Sequence, residues 1–154
     1  MRLTRKFDRW LVALRALVLA SAGAYAFASM SAQAGLSARD ADNVRLAVQS
    51  QLAALAANDA ERAFSLASPD VQQSFGGPRQ FLAMVRAQYP MVQKPAAVSF
   101  TRPESVGDRV MQRVNITDEN GAPWLVTYLL RRDGDKRWRI SACVVAPAHR
   151  HVVA

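Results

Sequence analysis

The period of the hydrophobic positions changes once along this chain, close to residue 90. Between residues 41 and 89, apolar residues recur every three or four positions, which is typical of amphipathic helices. From residue 96 onwards they alternate with polar residues, which is typical of strands with one buried face. The pattern therefore predicts the α+β class, with N-terminal helices packed on one face of a four-stranded antiparallel meander.

The helical half begins with a long amphipathic helix. Ser37 and Asp40 have the spacing of a capping box, and the apolar stripe that follows them runs to about Ala57. Asn58, together with Glu61, is expected to cap a second and shorter helix.

Prolines and a glycine pair divide the rest of the helical half. Ser68 is expected to cap a third helix with Pro69 at its first position. That helix ends at Gly76–Gly77, where a positive φ costs little. Pro78 opens a fourth helix, and Pro90 ends it.

Four strands are predicted after residue 95, and turn-forming residues bound each of them. They cover residues 96–101, 109–118, 124–131 and 137–146. Hairpin turns at Asp118–Gly121 and Asp133–Asp135 join neighbouring strands, so consecutive strands pair antiparallel.

Alternation assigns the two faces of this sheet if Trp138 lies opposite Leu130 and Val114 lies opposite Tyr128. The inner face, against which the helices pack, is then almost entirely apolar. Its members are Val110, Gln112, Val114, Ile116, Trp124, Val126, Tyr128, Leu130, Trp138, Ile140, Ala142 and Val144.

The opposite face is mixed, as in a wet surface or a subunit interface. Arginine, asparagine, threonine and serine alternate there with Met111, Leu125, Leu129, Cys143 and Val145. A homodimer that forms through Met111, Leu125, Leu129 and Val145 is one expectation for this face.

A recognisable set of segments comprises Leu52–Phe64, Phe75-Gly76-Gly77-Pro78, Gln112-Arg113-Val114 and Trp138-Arg139-Ile140-Ser141 with Cys143-Val144. These segments resemble a bacterial family of uncharacterised exported proteins, the DUF4864 domain. The resemblance covers nearly all of residues 37–147. It implies the curved, cone-shaped α+β fold of the nuclear transport factor 2-like (NTF2-like) superfamily. It implies no reaction, because one fold of this kind carries enzymes and binding modules alike.

Polar groups on the predicted inner face are few, and they suggest a ligand site. Gln112 and Tyr128, with the indoles of Trp124 and Trp138, are the candidate lining of a cavity for a small, uncharged and partly apolar ligand. The competing interpretation of Gln112 is a structural hydrogen bond, since an unpaired buried amide costs about 1–3 kcal/mol. The leading hypothesis is a non-catalytic module that binds a small molecule or a partner protein.

An enzyme is the alternative hypothesis. An isomerase or dehydratase of this fold needs an acid or base in an apolar cavity, where burial shifts its pKa. The inner face offers none, so the acid would have to come from the helical half. Asp59, Glu61 and Asp70 are the candidates, although all three are also explained as helix-terminal acids.

Neither a metal nor another cofactor is expected. His149 and His151 lack a third ligand, and the chain contains no phosphate-binding loop or other cofactor motif. Arg131-Arg132 and Lys136-Arg137 flank an acidic turn, which favours a solvated hairpin tip over an anion site.

Charge argues against nucleic acid as a partner. Half of the formal net charge of +8 lies in residues 1–34, which leaves +4 for residues 35–154. A charge of this size suits a soluble surface, whereas a nucleic-acid footprint needs basic residues clustered on one face.

The N-terminus has the pattern of a signal peptide. A basic start precedes the apolar run at residues 16–28, and Ala32-Gln33-Ala34 is a small-x-small cleavage site. Cleavage after Ala34 would release a periplasmic or secreted protein that no membrane holds. The alternative is an uncleaved anchor in the inner membrane. Residues 35–148 then form the domain, and residues 149–154 form a flexible tail.

Cys143 is the only cysteine, so no intramolecular disulfide forms. The expected role is a buried and inert small residue, and the alternative is a reactive or intermolecular thiol.

Overall fold

A computed structural model describes residues 35–148, which form five helices and five strands. The helices are α1 (Ala38–Ala56), α2 (Ala60–Ser65), α3 (Pro69–Phe75), α4 (Pro78–Gln88) and α5 (Pro90–Gln93). The strands are β1 (Ala97–Phe100), β2 (Glu104–Val106), β3 (Arg109–Thr117), β4 (Pro123–Arg132) and β5 (Trp138–Pro147). The predicted signal peptide and the predicted tail lie outside these described residues. No helix between residues 35 and 148 combines the length and the apolar character that a bilayer span requires.

The start of α1 matches the predicted cap. The Ser37 hydroxyl oxygen accepts a hydrogen bond from the Asp40 backbone N–H at 3.1 Å, and the hydroxyl donates to the Asp40 carboxylate at 2.8 Å. The cap of α2 is different from the prediction, because Asp59 rather than Asn58 accepts the Arg62 backbone N–H, at 3.0 Å.

Asn58 instead occupies a left-handed position, with φ of 58°. Its Oδ1 accepts hydrogen bonds from Arg86 Nη2 and from Gln93 Nε2, each at 2.7 Å. Asn58 therefore ties the break after α1 to the helices α4 and α5.

Proline opens α3, α4 and α5, because its missing N–H is not needed in the first turn. Ser68 is the N-cap of α3, as predicted, and Gly76 ends that helix with φ of 72°. Pro90 ends α4, also as predicted, and the chain then turns directly into α5.

The sheet is antiparallel with the order β1-β3-β4-β5, and the short β2 also pairs with β3. The predicted α+β class, with helices before an antiparallel sheet, is confirmed. The sequence pattern missed β2, whose hairpin with β3 turns at Gly107 with φ of 62°.

The pairing of β3 with β4 differs from the predicted register by two residues. Val114 lies opposite Val126, not Tyr128, and Tyr128 lies opposite Gln112. A shift by two residues keeps every side chain on its face, so the predicted faces of both strands are correct.

The prediction for the second half of β5 was wrong. A β-bulge changes the register, because Leu130 lies opposite Ile140 whereas Leu129 lies opposite Ala142. One extra residue exchanges the faces of the strand from Cys143 onwards. Val144 is therefore 62% exposed, and Val145 packs against the core.

The segment between α2 and α3 covers the edge of the sheet at this bulge. The Ser68 N–H donates to the carbonyl of Ile140 at 2.8 Å, and the Ile140 N–H donates to the carbonyl of Leu66 at 2.9 Å. These two bonds occupy the backbone of an edge strand that would otherwise be open.

Candidate functional site

An apolar cavity of about 480 Å³, here called the inner cavity, lies between the helices and the strands β4 and β5. Most of its lining is aliphatic or aromatic. The lining residues are Gln51, Leu55, Ala67, Val71, Phe75, Phe81, Met84, Val85, Gln88, Tyr89, Val92, Tyr128, Ile140, Ala142, Cys143 and Val145. The volume falls within the range of small-molecule sites, which is about 300–1,000 Å³.

The inner cavity has an exposed side and a buried side. Gln88 and Cys143 are exposed and mark its entrance, whereas Leu55 and Tyr128 are almost fully buried. Phe81 supports the helical wall, and its ring centroid lies 5.4 Å from that of Phe75 in an edge-on arrangement. The opening therefore lies between α4 and the bulged strand β5.

Tyr128 carries an unpaired polar group in this apolar wall. The residue is 1% exposed, and its hydroxyl has no hydrogen-bond partner among residues 35–148. Burial raises the pKa of Tyr128 well above its ordinary value, and the neighbouring Cys143 thiol raises the pKa further. The phenol is therefore neutral, and it can both donate and accept a hydrogen bond.

Gln51 is a second polar group in the lining, and the sequence analysis did not select it. It is 4% exposed and donates its amide N–H to the carbonyl of Ala63 at 3.2 Å. The signal was present in the sequence, because Gln51 falls on the apolar stripe of α1 between Val48 and Leu55.

The prediction that Cys143 is buried was wrong. The residue is exposed, and it lines the inner cavity. The bulge turns it from the outer face towards Tyr128, its partner across β4 and β5. Loss of hydration among apolar neighbours raises the pKa of the thiol to about 12, and the nearby Tyr128 hydroxyl acts in the opposite direction. The thiol is therefore protonated and weakly nucleophilic at neutral pH.

Gln112 is fully buried, as expected, but it is not among the residues that line the inner cavity. Its Nε2 donates to the backbone carbonyls of Thr101 and Arg113, at 2.8 Å each, and its Oε1 has no partner within the described range. These bonds fasten the chain after β1 to β3, which corresponds to the structural interpretation of this residue.

The two candidate tryptophans also lie outside the inner cavity, because each indole is held by an aspartate. Trp124 Nε1 donates to Asp118 at 2.9 Å, and Trp138 Nε1 donates to Asp40 at 3.3 Å. Of the four predicted lining residues, Tyr128 alone belongs to the inner cavity.

The candidate catalytic acids do not reach the inner cavity either. Asp59 caps α2, Glu61 is exposed in its first turn, and Asp70 forms an ion pair with Arg131. Among residues 35–148, no Asp, Glu, His, Lys or Arg lines this cavity. The titratable groups with shifted pKa values in the described lining are Tyr128 and Cys143, and both pKa values are raised.

The outer face retains three of the four residues that were proposed for a dimer. Met111, Leu125 and Leu129 are half-buried there, whereas Val145 lies on the inner side. The exposed Val144 takes the outward position in its place.

Within the described range, no group of three or more histidine, cysteine or acidic residues could hold a metal ion. His149 and His151 lie outside the described residues.

A family model described as "Domain of unknown function (DUF4864)" matches residues 37–153. No curated protein matches the chain. Solved structures with a detectable likeness include that of an NTF-2 like protein of unknown function from Burkholderia xenovorans LB400. It is 22% identical, with a TM-score of 0.41, and the match covers 70% of this chain and 89% of that chain.

Proposed function

The chain belongs to the DUF4864 family, which confirms the resemblance found in the sequence, and for this member we propose the binding of a small, uncharged and partly apolar molecule without catalysis. The ligand occupies the inner cavity and enters past Gln88 and Cys143.

One observation carries the proposal, and it is the buried hydroxyl of Tyr128 in the cavity wall, which has no hydrogen-bond partner in the described part of the chain. A buried hydroxyl without a partner costs about 1–3 kcal/mol. A ligand that brings a hydrogen-bonding group to Tyr128 recovers this free energy on binding. The hydrogen bond that the empty protein lacks at Tyr128 therefore increases the affinity for such a ligand.

The absence of charge in the lining supports an uncharged ligand. An ion in the inner cavity would lose its hydration without an opposite charge among the described lining residues, and such a transfer is strongly unfavourable. The polar side chains of the described lining end in hydroxyl, amide or thiol groups, and they belong to Tyr89, Tyr128, Gln51, Gln88 and Cys143.

The enzyme alternative receives less support. Asp59, Glu61 and Asp70 lie away from the cavity, and the acid chemistry of an isomerase requires direct contact between the acid and the substrate.

N-Phenylnaphthylamine tests the proposal, because it is neutral, mostly apolar and carries one N–H group. We expect a saturable rise in its fluorescence with one site per chain, measured on the protein as its producing cell processes it. Val71→Phe narrows the cavity and should abolish this signal. Val106→Phe is the matched control, because Val106 is 48% exposed on β2 and does not line the cavity.

Equal binding by the two phenylalanine variants would refute the site. Mass spectrometry of the protein under native conditions extends the test, since a natural ligand would appear as an added mass that Val71→Phe removes.

We propose export as the setting of this function, with cleavage after Ala34. The support is the basic start, the apolar run and the Ala32-Gln33-Ala34 site. The intact mass of the protein from the periplasmic or secreted fraction should correspond to a chain that starts at Gly35. A chain that keeps Met1 and fractionates with the inner membrane would favour the anchor instead.

A homodimer through the outer face remains a second proposal, and Val144 now joins Met111, Leu125 and Leu129 in the apolar set. Light scattering coupled to size exclusion measures the mass directly, and a monomer at high concentration would end this proposal.

A further inference from the structure

A second cavity lies where α1 begins beside the turn between β4 and β5. This cavity, here called the basic cleft, has a volume of about 560 Å³. Four cationic side chains line it, from Arg39, Arg132, Lys136 and Arg137, together with a single carboxylate, that of Asp40. The sequence placed three of these cations on a hairpin tip, and the fold adds Arg39 from the other end of the domain.

The one carboxylate is already engaged by donors of the protein. Asp40 accepts hydrogen bonds from the Ser37 hydroxyl at 2.8 Å and from Trp138 Nε1 at 3.3 Å, and it forms an ion pair with Arg132. These contacts, with the Ser37 bond as the largest cause, lower the pKa of Asp40. The negative charge of Asp40 therefore offsets the positive charge of Arg132, and the other cationic side chains of the cleft remain in excess.

Two of the remaining cations have no acidic partner among the described residues. Arg137 bonds to Asp135 at 2.7 Å, but neither Arg39 nor Lys136 forms an ion pair with any residue in the described part of the chain. The turn holds Lys136 in place, since its N–H donates to the carbonyl of Asp133 at 2.9 Å and its φ is 60°. The cleft thus presents unpaired positive charge from both of its sides.

Trp138 supplies a flat apolar wall. The Arg132 guanidinium carbon lies 5.1 Å from the centre of its ring, so the indole and the guanidinium stack. An organic group attached to an anion can pack against this wall while the anion meets the cations.

We propose that the basic cleft binds a phosphate group, either free phosphate or the headgroup of an anionic lipid. Phosphate has several acceptor oxygens and between one and two negative charges. These charges match the two positive charges of Arg39 and Lys136. The site is separate from the inner cavity, so it does not depend on the function proposed above.

The two aspartate-bound indoles provide the measurement. The Trp138 N–H bonds to Asp40 inside the cleft, whereas the Trp124 N–H bonds to Asp118 elsewhere. Both give indole signals in the NMR spectrum of isotope-labelled protein, processed as the producing cell leaves it. Each signal is assigned by the corresponding Trp→Phe variant. Inorganic phosphate should move the Trp138 signal to saturation and leave the Trp124 signal unchanged.

Lysine substitutions test the assignment, because Lys136 and Lys94 are the two lysines after residue 34. Lys136→Gln should weaken phosphate binding about tenfold, through loss of a charge-assisted hydrogen bond. Lys94→Gln removes the same charge at an exposed site outside the cleft and should leave the affinity unchanged. Equal effects of the two variants, or an equal response to chloride at matched ionic strength, would overturn the proposal.

Vesicles distinguish the two sources of phosphate. If vesicles of phosphatidylglycerol sediment the protein in a Lys136-dependent way and free phosphate has no effect, the lipid headgroup is the ligand. If free phosphate alone shifts the Trp138 signal, the ligand is soluble. If neither probe binds in a Lys136-dependent way, the cleft is a solvated surface and the proposal is wrong.

Discussion

Tyr128 lies opposite Cys143 across β4 and β5, and it does so because of the bulge that precedes Cys143. Without the extra residue, the residue before Cys143 would lie opposite Tyr128, and Cys143 would point to the outer face. The extra residue turns Cys143 and Val145 inward and turns Val144 out to solvent. The part of the cavity wall that Cys143 and Val145 form therefore depends on one irregularity in β5.

Tyr128→Phe should stabilise the empty protein. The substitution removes a buried hydroxyl that no described residue hydrogen-bonds and keeps the ring that fills the core. We expect the free energy of unfolding to rise by about 1 kcal/mol in urea titrations, with an unchanged slope. The same variant should bind N-phenylnaphthylamine more weakly. A loss of stability without a change in dye affinity would show that the hydroxyl has a structural role.

Gln112→Leu should destabilise the protein without changing its dye binding. It removes two hydrogen bonds, to the carbonyls of Thr101 and Arg113, and only the Arg113 carbonyl keeps another described donor, the Thr101 N–H at 3.1 Å. We expect a loss of about 2 kcal/mol in the free energy of unfolding. Dye binding at matched folded fraction should remain as in the parent protein, since Gln112 lies outside the inner cavity. A selective loss of dye binding would instead indicate that Gln112 belongs to the ligand site.

Substitutions of Asn58 test the hydrogen bonds that connect the end of α1 to the helices α4 and α5. Asn58→Gly removes the hydrogen bonds to Arg86 and Gln93, but glycine suits the positive φ at this position. Asn58→Ala removes the same hydrogen bonds, and alanine does not suit the positive φ. We expect both variants to unfold at lower urea concentration than the parent, with alanine the less stable by about 1 kcal/mol. Equal stability of the two variants would mean that the backbone relaxes out of the left-handed region.

Asp118 should contribute to the acid sensitivity of the fold. The Trp124 indole N–H lowers the pKa of Asp118 most, followed by the backbone N–H of Ala122. The folded pKa lies below the ordinary value of 3.8, so the stabilisation is complete above that pH and is lost as the pH falls through the folded value. Asp118→Asn should therefore lower the melting temperature at neutral pH and reduce its further fall in acid.

The neighbouring Glu119→Gln variant is the control for this experiment, because Glu119 is exposed in the same turn. Its melting temperature should follow that of the parent protein at every pH. A parallel response of both variants would attribute the acid sensitivity to the net charge of the chain instead.

Much of this fold follows from short-range features of the sequence. The cap of α1 at Ser37 and the proline starts of α3 and α4 depend on residues a few positions apart, so the sequence alone determined them. The faces of β3 and β4 follow from alternation, which a register shift of two residues does not disturb. For Gln112, burial was predictable from its neighbours in the strand.

The tertiary structure alone decided which polar groups share a cavity. Residues 142–146 of β5 are small or apolar on both faces, so alternation there carried no information about a bulge. The backbones of Leu66 and Ser68, distant in sequence, bond to Ile140 just before the bulge and thereby occupy the strand edge where the register changes. The partner of Gln112 and the convergence of Arg39 with Lys136 likewise depend on contacts between segments far apart in the chain. No local pattern encodes such contacts, because they arise only when the helical layer closes on the sheet.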